Sequence, residues 1–328
     1  MKWRKLGKRF DPADHDLPVG GAGFAQSPQA LVLEDRVRVY FSTRERDAAG
    51  KFLSHIAFVD FDRAMTTVLG TSRAPVIPLG DLGCFDEHGI FPMHVCRDGS
   101  RILAFTTGWN RKVSVSADAA IGLAESFDGG ATFTKVGTGP VMGASLHEPF
   151  LVGDAFVQRI DGLMHMWYIF GVRWTNPPDG GQPDRVYKIA HATSVDGIEW
   201  HRDAKLIIAD RIGPDECQAL PTVFRWRGRY HMYFCYRAAH GFREDPSKAY
   251  RLGYAWSDDL SVWHRDDAAS GIDVSAEGWD SRMQCYPNAF ECDGAVYLLY
   301  NGNDFGREGF GIARLEDEAL DQATSLRE

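Results

Sequence analysis

AQSPQALVLEDRVRVYFSTR, residues 25–44, places a proline after a short polar run, continues as an apolar strand, turns, and returns as an aromatic strand. The same format recurs as DEHGIFPMHVCRDGSRILAFTTGW (86–109), LHEPFLVGDAFVQRIDGLMHMWYIFGVRW (146–174), ECQALPTVFRWRGRYHMYFCYR (216–237) and MQCYPNAFECDGAVYLLYNGN (283–303). Aligned on Pro28, Pro92, Pro149, Pro221 and Pro287, the segments are spaced by 64, 57, 72 and 66 residues. A fixed period of this size marks a chain built from repeated small sheets.

A third strand follows each segment, as in AAIGLAESFDGG from Ala119, YKIAHATSVDG from Tyr187 and YRLGYAWSDDL from Tyr250. Asp128–Gly129 and Asp196–Gly197 predict tight type I′ hairpin turns, where both central residues need positive φ. A fourth strand is marked by an aromatic and, two residues on, a cation: Phe133/Lys135, Trp200/Arg202 and Trp263/Arg265. The fifth unit lacks its own fourth strand, but Trp3 and Lys5 near the N-terminus have the same form. The predicted fold is therefore all-β: a single five-bladed β-propeller of four-stranded antiparallel blades spanning residues 1–328. Blades start near 25, 86, 146, 215 and 281, and residues 1–10 complete blade five, closing the ring and removing an exposed edge.

Composition narrows the function. With 328 residues, 44% of them hydrophobic and 12% aromatic, the chain can bury a large core. A formal net charge of −9 argues against nucleic-acid binding, which requires a basic footprint. No apolar run reaches the ~18–20 residues of a membrane helix. The basic start MKWRKLGKRF is not followed by an apolar leader, so the expected setting is the cytoplasm. The six cysteines show no metal or disulfide spacing and read as buried thiols.

In a propeller, the start of strand one and the end of strand two lie on one face, beside the central channel. The expected catalytic candidates are Asp86 and Glu87, Glu148, and Asp215 and Glu216, all just ahead of aligned prolines. Crowded carboxylates raise one another's pKa, which suits acid work near neutral pH. Gln26, Arg44, His88, Trp109, His147, Arg173, Trp174, Arg237, Arg282 and Asn301 are expected to bind substrate. Arginines fork onto carboxylates and phosphates, and tryptophans offer flat faces to sugar rings. The expected partner is a small sugar or sugar phosphate.

The stretches GWN at Gly108, AIGLAESFDGG at Ala120, HMWYIFGVRW at His165, GIDVSAEGWDSRMQCYPNAF at Gly271 and NGNDFGREGFGIA at Asn301 carry a family resemblance. The chain resembles the superfamily of glycoside hydrolase families 43, 32 and 130. It is most similar to bacterial family-43-like proteins encoded among polysaccharide-synthesis genes. The resemblance implies a carboxylate from blade one, another from blade two and a glutamate acid from a later blade. Here Gln26-Ser27-Pro28 stands where the blade-one aspartate would be. Such propellers can hold a structural calcium in the channel, though no cofactor is required by the residues present.

Two readings follow. In one, Glu216 is a general acid and Asp86, Glu87 or Glu148 a base or nucleophile, cleaving a glycoside by hydrolysis or phosphorolysis. In the other, the protein binds a sugar or sugar nucleotide in glycan biosynthesis without hydrolysing it. Carboxylates facing one another across an open pocket favour the first; carboxylates that point outward or are tied up by arginines favour the second.

Overall fold

The structure, a computed structural model, describes residues 1–19, 23–178 and 180–316. The chain is all-β, with helix confined among the described residues to three 3-10 turns. Strand β1 is Trp3–Phe10. The first sheet holds β2 (Gln26–Val32), β3 (Val37–Arg46), β4 (Phe52–Phe61) and β5 (Val68–Thr71). The second holds β6 (Gly89–Asp98), β7 (Arg101–Arg111), β8 (Ala117–Ser126) and β9 (Thr134–Lys135). The third holds β10 (Val152–Ile160), β11 (Leu163–Thr175), β12 (Asp184–Ser194) and β13 (His201–Arg202). The fourth holds β14 (Glu216–Trp226), β15 (Arg229–Ala238), β16 (Arg251–Ser257) and β17 (His264–Arg265). The last comprises β18 (Cys285–Cys292), β19 (Ala295–Asn301), β20 (Phe310–Leu315) and β1, which pairs antiparallel with β20 from Trp3↔Leu315 to Phe10↔Phe310. The first two groups are joined into one sheet by a single parallel rung, Ser54↔Gly89.

Burial follows position within each sheet. The first strand is packed on all sides, so β14 is buried continuously from Glu216 to Phe224. Two-residue outer strands such as β9 and β13 keep one exposed position each. The aromatic-rich second strands supply the largest buried side chains, among them Tyr40, Phe105, Trp167, Tyr168, Tyr233 and Tyr300.

Every first strand breaks register with its partner at the same place. The shifts fall at Gln26/Gln29, Ile90/Met93, Gly153/Phe156, Ala219/Thr222 and Cys285/Asn288. The bulged pairs are Ser27-Pro28, Phe91-Pro92, Asp154-Ala155, Leu220-Pro221 and Tyr286-Pro287. Proline has no N–H for the ladder, which is why bulges accept it. The blade-three alignment on Pro149 is thereby corrected: its equivalent is Ala155, and the intervals become 64, 63, 66 and 66. Pro149 instead lies ahead of β10, outside the ladder.

At four bulges the residue before the proline, or before Ala155, sits at positive φ: Ser27 59°, Asp154 53°, Leu220 48° and Tyr286 57°. The fifth position, Phe91-Pro92, is a cis peptide. Neighbouring sheets brace these bends. Ser27 N donates to Asn301 Oδ1 (2.7 Å), Asp154 N to Thr107 Oγ1 (2.7 Å), Leu220 N to Asp154 Oδ2 (3.3 Å) and Ala289 N to Thr222 Oγ1 (2.9 Å).

The turns after the third strands also differ from expectation. β8 and β9 are separated by residues 127–133, too many for a two-residue hairpin. Positive φ occurs at Gly129 and Gly130, not Asp128. Asp128 Oδ1 instead accepts from Ala131 N and Thr132 N, and Asp196 Oδ1 accepts likewise from Ile198 N and Glu199 N. In the fourth sheet Asp259 does this work, while Asp258 reaches outward to Arg229.

Candidate functional site

In each of the last four sheets one acidic residue near the start of the first strand is joined to the cation of that sheet's outer strand. Asp86 meets Lys135 at 2.5 Å, Glu148 meets Arg202 at 2.6 Å, Glu216 meets Arg265 at 2.6 Å, and Asp280 meets Lys5 at 2.8 Å. All four carboxylates are buried. Glu148 also accepts from Tyr168 Oη (2.5 Å). Glu216 is more fully held: Oε2 accepts from Arg211 N (2.9 Å) and Ile212 N (3.1 Å), and Oε1 from Gln218 Nε2 (2.9 Å). The first sheet lacks both halves of this latch. Its outer strand reads VLGT, without a cation, and the sequence five to seven residues before Pro28, where the others have a carboxylate, is Gly-Ala-Gly. The aromatic-plus-cation signature and the acid ahead of the proline are thus two ends of one internal tie.

The remaining expected residues divide. Glu87 accepts from Gly83 N (3.0 Å) within its own loop. Asp215 is exposed and paired with Arg173. His147 and Arg282 are exposed. His88 stacks on Trp109, ring centroids 6.0 Å apart. Trp174 packs beside the largest apolar cluster. Asn301 is wholly committed to backbone: its amide donates to Ala25 O (2.8 Å) and Gly309 O (2.7 Å) while Oδ1 accepts from Ser27 N. Fully buried and with both amide donors used, it offers a ligand no donor, against its expected role.

What the fold does bring together is an arginine–aromatic cluster beside the bulges. Arg44 Nε donates to Gln26 Oε1 (2.8 Å), and Gln26 Nε2 donates to Phe305 O (2.5 Å). Phe305 rests edge-on against Phe242 (6.0 Å) and Tyr250 (6.1 Å). Tyr250 continues to Tyr286 (5.6 Å), and Tyr286 to Phe91 (5.4 Å). Tyr250 Oη and Tyr187 Oη are hydrogen-bonded at 2.6 Å. Arg237 lies 3.6 Å above Phe242, and Arg243 covers the same ring at 4.3 Å.

Arg44, Arg237 and Arg243 make no ion pair with a carboxylate among the described residues; Arg237 donates to the carbonyls of Ala238 and Ala239, and its buried Nε finds no acceptor. Burial, aided by the nearby Arg243 charge, draws the Arg44 guanidinium below its ordinary value. Arg44 and Arg237, held against ring faces and withdrawn from water, have already lost much of their hydration, so an incoming anion gains more from them than from a solvated lysine.

One carboxylate sits at a bulge itself. Asp154 is 8% exposed, and burial pushes its pKa up to about 7, against the pull of the Leu220 N–H and the Arg185 charge. Among the described residues its Oδ2 accepts a single hydrogen bond, from Leu220 N. The proline alignment passes over Asp154, because Pro149 takes its repeat position. A signal is present all the same: Asp154 directly precedes the position that proline fills in the other repeats. Tyr187, Tyr250, Tyr286 and Arg243 escape the sequence too, being spread over separate segments that only the strand register joins.

Two surface hollows, of about 610 Å³ beside Trp226, Arg229 and His231 and about 510 Å³ beside Tyr236, Arg251 and Asp267, lie away from the bulges. Among the described residues no group of three or more His, Cys, Asp or Glu could hold a metal ion, so the calcium considered above finds no such ligand set. No helix among them is long and apolar enough to cross a membrane.

No family model matches the chain. Two curated proteins of Mycobacterium tuberculosis do: uncharacterized protein MT1551 of strain CDC 1551 / Oshkosh and uncharacterized protein Rv1502 of strain ATCC 25618 / H37Rv. Each is 34% identical over 324 residues, covering 97% of this chain and 100% of the relative. The chain belongs to the family of these two mycobacterial proteins. Among solved structures, its fold is similar to that of a glycoside hydrolase (TM-score 0.71, 15% identity, 96% of this protein and 93% of that one). It is also similar to a thermostable family-43 glycoside hydrolase (TM-score 0.66, 16% identity, 92% of each protein). A third is a GH130 protein from work on mannoside phosphorylases and hydrolases of β-1,2 mannosidic linkages (TM-score 0.64, 13% identity, 90% and 85%). This chain therefore has the propeller-like fold of these glycoside hydrolase families, as its sequence resemblance implies.

Proposed function

We propose that this protein is a carbohydrate-active five-bladed propeller, closed by β1, whose mouth takes an anionic sugar such as a sugar phosphate or a uronic acid. The observation that carries the reading is the trio Arg44, Arg237 and Arg243, left without carboxylate partners against aromatic rings in a chain of net charge −9. The five recurring bulges and the β1–β20 pairing support the ring.

In this reading Asp86, Glu148 and Glu216 hold sheets together and do not cut a glycosidic bond. Two-carboxylate hydrolysis needs free groups about 5–10 Å apart across the substrate, and these carboxylates are spent on cations. Asp154 favours a second reading within the first. A buried carboxyl that keeps its proton near pH 7 can protonate a leaving sugar oxygen. An enzyme with only that acid would need the anion itself as the attacking group, as in phosphorolysis.

Thermal-shift measurement with glucose 1-phosphate, UDP-glucose and glucuronate, beside neutral methyl glycosides, tests the proposal. A ligand that binds only the folded state raises the melting temperature. The anionic compounds should stabilise the protein and the neutral ones should not. Equal stabilisation by neutral glycosides, or aryl-glycoside hydrolysis that disappears in E216Q, would overturn it.

A further inference from the structure

Thr175 is the last residue of β11 and pairs across the ladder with Asp184, the first residue of β12. Residues paired in this way project from the same face of a sheet. His240, from the segment after β15 in the next sheet, reaches between them. Its Nδ1 is 3.0 Å from Asp184 Oδ2, and its Nε2 is 3.0 Å from Thr175 Oγ1. An ionised carboxylate can only accept, so the Nδ1 partner assigns the ring proton to Nδ1. Nε2 is then left with its lone pair aimed at the threonine hydroxyl. The His240 and Asp184 side chains are 23% and 29% exposed, so the group is open to solvent.

We propose that Thr175, His240 and Asp184 form an acyl-transfer site at the edge of the mouth, with Thr175 as nucleophile, His240 as base and Asp184 as orienting carboxylate. Hydroxyl, imidazole and carboxylate in this order are recognised by geometry rather than by chain position. Thr175 Oγ bonds to an ester carbonyl carbon while its proton passes to His240 Nε2. The ester C–O bond then breaks, and His240 returns the proton to the departing alkoxide. Water repeats the sequence on the acyl-threonine, releasing the carboxylic acid and restoring the hydroxyl. Net, one ester and one water give one alcohol and one acid. The site is next in sequence to Trp174, and His240 follows Arg237 by three residues, so the fitting substrate is an O-acylated sugar. That sugar assignment rests on the function proposed above; the acyl-transfer assignment does not.

The intact protein should therefore be incubated with p-nitrophenyl acetate, which carries no sugar, and separately with an alkyl fluorophosphonate. Nitrophenolate release and protein mass are followed. The expected result is one adduct per chain, mapped to Thr175. Release should fall at least tenfold in T175V, H240Q and D184N, while T175S, with its less hindered hydroxyl, should react at least as fast as the unaltered protein. A mechanical clasp between the third and fourth sheets would shift the melting temperature of T175V and yield no adduct. Absence of any adduct, an adduct at another residue, or T175V reacting at the original rate would overturn the proposal. The site mapped in the unaltered protein decides the matter even if T175V fails to fold. Acetate turnover without any stabilisation by anionic sugars would retain the acyl-transfer site and remove its sugar substrate.

Discussion

Arg265 Nη1 lies 2.6 Å from Glu216 Oε1 across the fourth sheet, and the carboxylate it meets is entirely buried. Removing the guanidinium strands a charge that two backbone N–H groups and Gln218 compensate only in part. R265M should therefore cost about 3–5 kcal/mol of stability, the usual penalty for breaking a buried pair from one side. Urea denaturation monitored by tryptophan fluorescence measures it. An unchanged midpoint would mean that Glu216 is held by something other than the latch.

Asp154 makes stability depend on pH in a stated direction. Its folded pKa, about 7, is above the unfolded value of about 3.9. Between those values the folded state holds a proton that the unfolded state has released. Its contribution is complete below about pH 4 and is lost as pH rises toward 7. D154N cannot ionise, so its stability relative to the unaltered protein should rise across that window by up to about 1.4 kcal/mol per pH unit. Denaturation curves at several pH values compare the two, and parallel curves would refute the shifted carboxyl.

Arg243 is exposed and spans the Phe242 ring. R243M keeps most of that packing and discards the charge. It should leave the melting temperature unchanged and weaken an anionic sugar about tenfold, roughly 1.4 kcal/mol. Calorimetric titration at two salt concentrations reads this, and the loss should shrink at high ionic strength. Unaltered affinity would take Arg243 out of the site.

Trp3 joins the N-terminal strand to the fourth sheet. Its Nε1 donates to Tyr233 Oη (2.7 Å), and its ring meets that of Tyr233 edge-on at 5.5 Å. W3A empties a buried position and removes one of the two hydrogen bonds of the Tyr233 hydroxyl, which still donates to Ser270 O, at a cost of about 3–5 kcal/mol. Guanidinium denaturation tests it; a loss below about 1 kcal/mol would show β1 to be dispensable packing.

The propeller-like architecture is legible because proline signals a bulge in four of the five first strands. Where Ala155 replaces it, the alignment slides six residues to Pro149, gains Glu148 as a candidate and loses Asp154. Both ends of each latch are also visible, as Asp86 and Lys135 or Glu216 and Arg265. Their union is not, because some fifty residues separate them and only strand register brings them face to face. The arginine–aromatic cluster is half legible. Arg44 and Arg237 end aromatic strands and invite attention, whereas Arg243, Tyr187, Tyr250 and Tyr286 carry no local pattern of their own. The hydroxyl–imidazole–carboxylate group has no sequence signature either: Thr175 and Asp184 border one loop, and His240 arrives from the next sheet.

Strand β1 finds its partner β20 only at the opposite end of the chain. During synthesis at ~5–20 residues per second, β1 leaves the ribosome well before β20 and waits roughly 15–60 s for Phe310–Leu315 to be made. Over that interval Trp3 and Lys5 have neither the β20 ladder nor Asp280 to receive them. The last sheet is thus completed only by residues made late: a chain that stops before β20 leaves β1 without its ladder.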